Sequence, residues 1–251
     1  DVVNQTPITT YLDVAATASD RVVGGASISA TGKSTTATPR FSFSDVDQAI
    51  SNTPSPALPG APVGVVPFVF VANVGTTGIT NMTDQLHDAQ WSLGELPKSM
   101  YTGNPADTQI VVNSGRNNGS GTRATILAET QYGPFTSVVQ WGGPNDASNV
   151  SGVEGTGTVN TLTNLGNSGY SSNSFVRQIL ARTSAAVNRG AGPENLAIVS
   201  YLTLSDAAAI TDVTGGAGVG ATDMTYNGVP YSEANVKNGA YTLWGYQQFY
   251  G

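Results

Sequence analysis

Ile110-Val-Val-Asn-Ser-Gly-Arg-Asn-Asn-Gly-Ser-Gly-Thr-Arg123, followed by Ala124-Thr-Ile-Leu-Ala-Glu129, is the stretch that decides how this chain is read. The apolar run Ile110–Val112 suits a strand, and Ala124–Glu129 suits the first turns of a helix. Between them lies a loop of small residues flanked by Arg116 and Arg123. Glycine lets backbone N–H groups approach a ligand closely. Serine and threonine add hydroxyl donors, and arginine adds a planar charged fork. A helix N-terminus adds unpaired N–H groups and the positive end of a dipole. Strand, glycine-rich turn and helix in that order is the layout of an anion-binding corner. The segment suits a small anion such as phosphate. The same residue types also build ordinary exposed turns, so the loop by itself leaves both readings open.

Composition narrows the field. The 251 residues suffice for one large domain or two modest lobes with a sizeable core. There is no cysteine, so disulfides and thiolate metal sites are excluded. His87 is the single histidine, so a multi-histidine metal site is excluded and a Ser-His-Asp triad has one candidate base. It sits in Met82-Thr-Asp-Gln-Leu-His-Asp-Ala-Gln90, a helix with polar neighbours, and reads as a surface histidine. A net charge of −7 with 10 basic residues argues against a nucleic-acid surface. Those basic residues are scattered, so no polybasic membrane patch is present. No apolar run approaches the ~20 residues that span a bilayer. No secretory leader is read at Asp1. With 11% charged residues and abundant Ser, Thr, Asn and Gly, the surface resembles that of secreted or cell-surface proteins. Sequons begin at Asn4, Asn81, Asn118 and Asn149, and chance explains them in so Asn-, Ser- and Thr-rich a chain.

Further out from the central loop, strands and helices alternate. Ile8–Val14 suits a strand, and Gly24–Pro39 reads as turns with short strands. Within it, Thr31-Gly-Lys-Ser-Thr35 ends like a phosphate-binding P-loop, but Ser27 stands where that pattern needs glycine. Phe41–Ser44 alternates as a half-buried strand does, and Ser51–Pro62 reads as a loop. Gly64-Val-Val-Pro-Phe-Val-Phe-Val-Ala72 is the most apolar run and suits a buried strand, provided Pro67 sits where no ladder N–H is needed. A helix capped by Asn81 or Thr83 follows, through Trp91, and then the turn Tyr101–Pro105. Val138–Trp141 suits a strand, and Gly142–Gly169 reads as loops and turns. Ser174–Thr183 is an amphipathic helix with Phe175, Val176, Ile179 and Leu180 on one face. Leu196–Leu202 is a second buried strand, and Ser205–Ile210 a short helix capped by Ser205. The tract Gly215–Gly220 reads as a flexible loop. Asn227-Gly228 is a hairpin signal. The aromatic tail Gly239–Tyr250 suits a strand and helix that bury aromatics. The buried strands 64–72 and 196–202 bracket a central block, a pattern for two α/β lobes joined by crossover strands.

Taken in order, Ser44-Asp45, Gly64-Val-Val-Pro-Phe-Val69 and Arg116-x-x-Gly-Ser-Gly-Thr122 resemble the phosphate-binding proteins of bacterial ABC transporters. The chain is more similar still to an uncharacterised secreted branch of that superfamily. That branch carries a Ser-Asp, a Gly-Val-Val-Pro-Phe strand, a Thr-Gly-Asn-x-Ala-Asp turn, an Arg-x-x-x-Ser-Gly-Thr-Arg loop and a C-terminal Trp-Gly-Tyr. Here the turn is Thr102–Asp107 and the ending Trp244-Gly-Tyr246. The resemblance covers roughly residues 41–250 and implies a two-lobed α/β fold of the type II periplasmic-binding-protein kind, with mixed sheets joined by two crossover strands. It divides the chain into residues 1–70 plus 197–251 and residues 71–196. It implies a ligand set of Ser44, Asp45, Arg116, Ser120, Gly121 and Thr122. Arg116 would pair with the oxyanion, Ser120 and Thr122 would donate hydroxyl hydrogen bonds, and Gly121 and Thr122 would add backbone N–H groups. Asp45 would accept a phosphate proton, which disfavours fully ionised sulfate. Without the resemblance, Asp45 reads as a strand-end turn.

The resemblance fails at the start. Family members open with a strand and a Thr/Gly/Ser-rich loop that adds phosphate donors, and residues 1–20 do not match it. Gly25-Ala-Ser-Ile-Ser29 lies too far downstream to replace that loop. The first lobe is then incomplete, remodelled or completed by another chain, and a missing strand leaves a sheet edge open to strand addition. The expected function is an extracytoplasmic solute-binding protein for phosphate or a similar oxyanion, without chemistry or cofactor. An ABC permease is its expected partner. The alternative is a cell-surface or filament-forming subunit that self-assembles on the same scaffold. An enzyme is disfavoured because nucleophile–base pairings are scarce.

Overall fold

In the computed structural model, residues 8–12, 33–37, 42–51, 54–143, 162–170, 172–190, 192, 194–211 and 220–251 are described, the first two segments by backbone alone. The Gly25–Ser29 stretch, the sequons at Asn4 and Asn149, and Gly215–Val219 lie outside them. Strands β1 (Ile8–Leu12) and β2 (Lys33–Ala37) pair antiparallel as a separate two-stranded sheet. β2 takes up Lys33-Ser-Thr35 of the P-loop-like run, whose Thr31 and Gly32 lie outside the described residues.

The organising strand is β4 (Gly60–Ala72), thirteen residues long. It begins at Gly60, so Gly60–Pro62, expected as loop, is strand. Around it come β3 (Ser42–Ser44), β6 (Glu95–Pro97), β7 (Ile110–Asn113), β10 (Ala197–Thr203), β11 (Thr222–Asp223) and β13 (Trp244–Tyr250), while β5 (Asn81–Met82) pairs with β12 (Thr225–Tyr226) and β8 (Gln140–Gly142) with β9 (Asn164–Gly166) outside this sheet. The order is β3-β13-β4-β10-β7-β6, with β11 beside β4. Pairing in that sheet is antiparallel except for β7 and β10, which run parallel with Ala197 opposite Val111. The chain is therefore a mixed α/β protein with a mixed sheet. β13 pairs with residues 60–67 of β4, and β10 takes over from Phe68 to Ala72.

That handover explains a proline in an apolar strand. Phe68 N–H donates to the Leu243 carbonyl on the β13 side, and Asn73 N–H donates to Ile198 on the β10 side, each at 3.0 Å. Alternation along the strand then turns the nitrogen of Pro67 toward the β10 side, beyond the end of β10. No ladder donor is lost there.

The helices are α1 (Asp84–Leu93), α2 (Ser99–Thr102), α3 (Gly121–Glu129), α4 (Asn173–Leu180), α5 (Leu204–Thr211) and α6 (Glu233–Lys237). Thr83 caps α1 by accepting Leu86 N–H at 3.2 Å, and Gly94 ends it in the left-handed conformation at φ 82°. Phe68 through Ala72 are buried on both faces, because α1 lies against one face and α4 and α5 pack on β10 and β4. Phe70 meets His87, Trp91 and Tyr226, and Trp91 stacks on Tyr201.

His87 overturns its reading as a surface residue: it is fully buried and stacked on Trp91 at 4.5 Å. The face it shares with Trp91 is the one packed inward. Burial holds its pKa down to about 3, and the half-exposed Asp88 carboxylate 3.4 Å away does not offset that desolvation. Two smaller expectations also change. Ser205 lies inside α5, which starts directly at the end of β10, instead of capping it. The aromatic tail forms one strand, β13, with Tyr241 and Leu243 buried before it and Tyr246 exposed. The Asn227-Gly228 signal is a tight turn with φ 50° and 81°, closing Tyr226 onto Val229.

Candidate anion site

The site forms at the carboxyl ends of the parallel strands β7 and β10, where open α/β sheets place their ligands. β7 ends at Asn113 and hands the chain to the 114–120 loop, after which α3 begins at Gly121, three residues earlier than the Ala124 start read from sequence. Ser120 is therefore the N-cap, extended at φ −86° and ψ 124°, and its hydroxyl oxygen accepts Arg123 N–H at 3.4 Å. Gly121 and Thr122 are the first two helical residues, and among the described residues their N–H groups have no acceptor.

The loop itself is tightly held. Arg116 N–H donates to the Tyr201 hydroxyl at 3.1 Å, Asn117 N–H to the Tyr170 carbonyl at 2.9 Å, and Tyr170 N–H to the Gly115 carbonyl at 2.8 Å. The Arg116 carbonyl accepts Gln140 Nε2 at 3.0 Å. Arg123, the second flanking arginine, is 2% exposed. Its guanidinium donates to the Asn167 carbonyl at 2.8 Å, to the Asn167 side chain and to the Arg116 carbonyl at 3.4 Å. It is a strut between the 114–120 loop and Asn167, which the sequence alone does not distinguish from a ligand arginine.

Asp45 arrives from the end of β3. Its carboxylate accepts the Thr122 hydroxyl at 2.7 Å, and its carbonyl accepts the Thr125 hydroxyl at 2.7 Å. The other carboxylate oxygen lies directly over Gly121, where any β-carbon would collide with it. The glycine is thus required by close approach of a negative group to the α3 N-terminus. Ser44 makes a local turn: its hydroxyl donates to the Val46 carbonyl at 2.9 Å and accepts Val46 N–H at 3.2 Å. Ser44 shapes the turn that presents Asp45 and is not bonded to α3.

Arg116 is half-buried. Burial lowers its pKa, while Tyr201, Asp45 and Asp206 act to raise it. Its Nη1 donates to Asn173 Oδ1 at 2.8 Å and its Nε to the Tyr170 carbonyl at 3.3 Å. The structure thus brings Asp45, Ser120, Gly121 and Thr122 into one cluster and sets Arg116 within electrostatic reach of Asp45. Beside it, a recess of about 40 Å³ is lined by Val46, Ser51, Asn118–Gly121, Arg123, Ala124 and Pro134.

Sequence reading missed Asn167, Tyr170, Asn173, Tyr201 and Asp206. One signal was available for Asp206: it follows a buried strand as Ser205-Asp206, as Asp45 follows Ser44. Among the described residues no group of three or more His, Cys, Asp or Glu is placed to hold a metal. Of their helices, none is long and apolar enough to cross a membrane.

No protein-family model and no curated protein matches the chain. Solved structures similar in fold include the following three. One is assigned as a phosphate ABC transporter substrate-binding protein from Clostridium perfringens, with bound phosphate; it is 14% identical, with a TM-score of 0.49 over 84% of this chain and 66% of that one. An ABC-type phosphate transport receptor from Vibrio cholerae is 13% identical, with a TM-score of 0.45 over 83% and 65%. PstS from Borrelia burgdorferi is 11% identical, with a TM-score of 0.41 over 84% and 66%. The chain spans slightly less than two thirds of the length of each.

Proposed function

We propose that this chain binds phosphate or a similar small oxyanion at the N-terminus of α3, without chemistry, as an extracytoplasmic solute-binding protein. The observation that carries the reading is Asp45 bonded at a helix start whose Gly121 and Thr122 N–H groups have no acceptor among the described residues, with Arg116 within electrostatic reach of Asp45. Arg116 supplies a forked cation, Ser120 and Thr122 hydroxyl groups, and the α3 N-terminus two N–H donors and a favourable dipole. Asp45 accepts a proton from the ligand, so a protonated oxyanion is favoured over sulfate by the cost of an unpaired carboxylate. In this reading residues 71–196 form one lobe, residues 1–70 with 197–251 form the other, and an ABC permease receives the cargo.

Calorimetry with inorganic phosphate tests it. Wild type is expected to release heat and saturate, while Arg116→Ala weakens binding about tenfold or more, the loss of a charge-assisted pair. Asp45→Asn is expected to narrow the preference for phosphate over sulfate. No phosphate heat from wild type overturns the reading.

A second reading, a self-assembling structural subunit, draws on one observation. Phe43, Val63, Val65 and Tyr246 are 61%, 58%, 48% and 50% exposed on the β3–β13–β4 part of the sheet. Exposed apolar clusters favour association, whereas Pro67 at the open edge opposes strand pairing there. Light scattering across a concentration series separates the two: a monomer throughout counts against assembly.

A further inference from the structure

A cavity of about 540 Å³ is lined by one face of α5, by β11 and by Tyr231, and it shares no residue with the Asp45–Thr122 cluster. Small-molecule sites occupy roughly 300–1,000 Å³. The sequence accounts for the space. Leu204, Ala207, Ala208 and Thr211 recur at i, i+3, i+4 and i+7, so they form one stripe of α5. Two of the four are alanines, which fill little of the room beside β11. Tyr231 adds an aromatic wall and stands nearly at right angles to the fully buried Tyr241, with ring centroids 5.7 Å apart. One charged side chain lines the cavity, Asp223 of β11. It accepts the Thr211 hydroxyl at 3.2 Å, and among the described residues it forms no ion pair. Burial raises its pKa above the ordinary carboxylate value, and the Thr211 hydrogen bond acts against that shift.

We propose that this cavity binds a small organic ammonium ion, with the charged nitrogen on Asp223 and the carbon body against the α5 alanines and Tyr231. Attraction between unit charges grows as water is excluded, so a partly desolvated carboxylate gains more from a cation than one in open water. An ammonium group only donates and a carboxylate only accepts, so the two match. The face of a tyrosine ring attracts the same positive charge. An anion would meet Asp223 with no lysine or arginine in the lining to offset it. A bound metal needs more donors than one carboxylate, and among the described residues no group of three or more His, Cys, Asp or Glu is placed to hold one. The ammonium site uses none of the oxyanion residues and stands whether or not phosphate binds at α3.

Benzylammonium chloride tests the site, with benzyl alcohol as its uncharged counterpart, by NMR titration of backbone amides. In wild type, benzylammonium should give saturable shifts at residues 204–211 and 221–231, and benzyl alcohol should bind about tenfold more weakly or worse. Asp223→Asn keeps the size of the side chain and can still accept from Thr211. It should weaken benzylammonium about tenfold and leave benzyl alcohol unchanged. Ala208→Leu, at an exposed position of α5, should fill the cavity and block both probes while the melting temperature holds. No saturable benzylammonium shift at these residues, or equal affinity of wild type for the two probes, overturns the proposal. So does benzylammonium binding at wild-type strength in either variant.

Discussion

Residues 60–66 of β4 read Gly-Ala-Pro-Val-Gly-Val-Val and residues 68–72 read Phe-Val-Phe-Val-Ala, both uncharged and both strand. Yet Gly60 through Val65 are exposed, while Phe68 through Ala72 are buried. What differs is the company each half keeps. The second half has β10 on one side, β11 on the other and helices over its faces. The first half has β13 alone beside it, and a short β3 beyond. Hydrophobicity made the strand, but neighbours decided where it carries stability. The Asp45–Thr122 cluster lies at the junction, with Asp45 coming from the exposed part of the sheet and α3 from the buried part.

Phe70→Ala should break the buried half. Its side chain is fully enclosed against His87, Trp91 and Tyr226, so truncation is expected to cost about 3–5 kcal/mol in chemical denaturation. A loss below 1 kcal/mol would show that this half is not the core.

Glycines sharpen the comparison. A β-carbon at Gly245 would come 2.6 Å from Thr125 Cγ2 of α3, whereas at Gly64 the nearest atom is Gln247 Cβ at 3.7 Å. Gly245→Ala should destabilise by about 1–3 kcal/mol by wedging β13 from α3, and Gly64→Ala should be close to neutral. Equal losses in thermal unfolding would contradict this.

His87 makes the buried half pH-sensitive. Its native pKa is lowered to about 3, so the unfolded chain takes up a proton first as pH falls below about 6.5. The stability it contributes is present above that point and is lost as pH falls toward 3, with a slope of about 1.4 kcal/mol per pH unit. Unfolding at pH 7 and pH 5 should show the loss in wild type and a reduced one in His87→Phe, which keeps a ring against Trp91. Equal slopes in the two proteins would refute the assignment.

Val65→Ala, in the exposed half, should change stability by less than about 0.5 kcal/mol. A loss approaching that of Phe70→Ala would mean that this face is covered in solution.

Legibility followed range in sequence. Thr83 before α1 acts through the backbone three residues on, and that spacing is written in the chain. The start of α3 was misplaced because Gly121 and Thr122 are poor helix formers, held there by the Ser120 cap and by Asp45. His87, Arg123 and Asn173 each depend on a partner distant in sequence. For them local composition was neutral or misleading.

By itself the sequence determined the alternation of strands and helices, the strand–loop–helix corner at 110–129 and the exclusion of thiolate and multi-histidine chemistry. Those follow from period, capping and residue inventory, which need no neighbours. Only the tertiary structure decided that Arg123 is tied to Asn167 and the Arg116 carbonyl, why residue 121 is glycine, and that β4 is core along one half and surface along the other. Each of those depends on which distant groups come within a few ångströms, and burial and charge act only at that range.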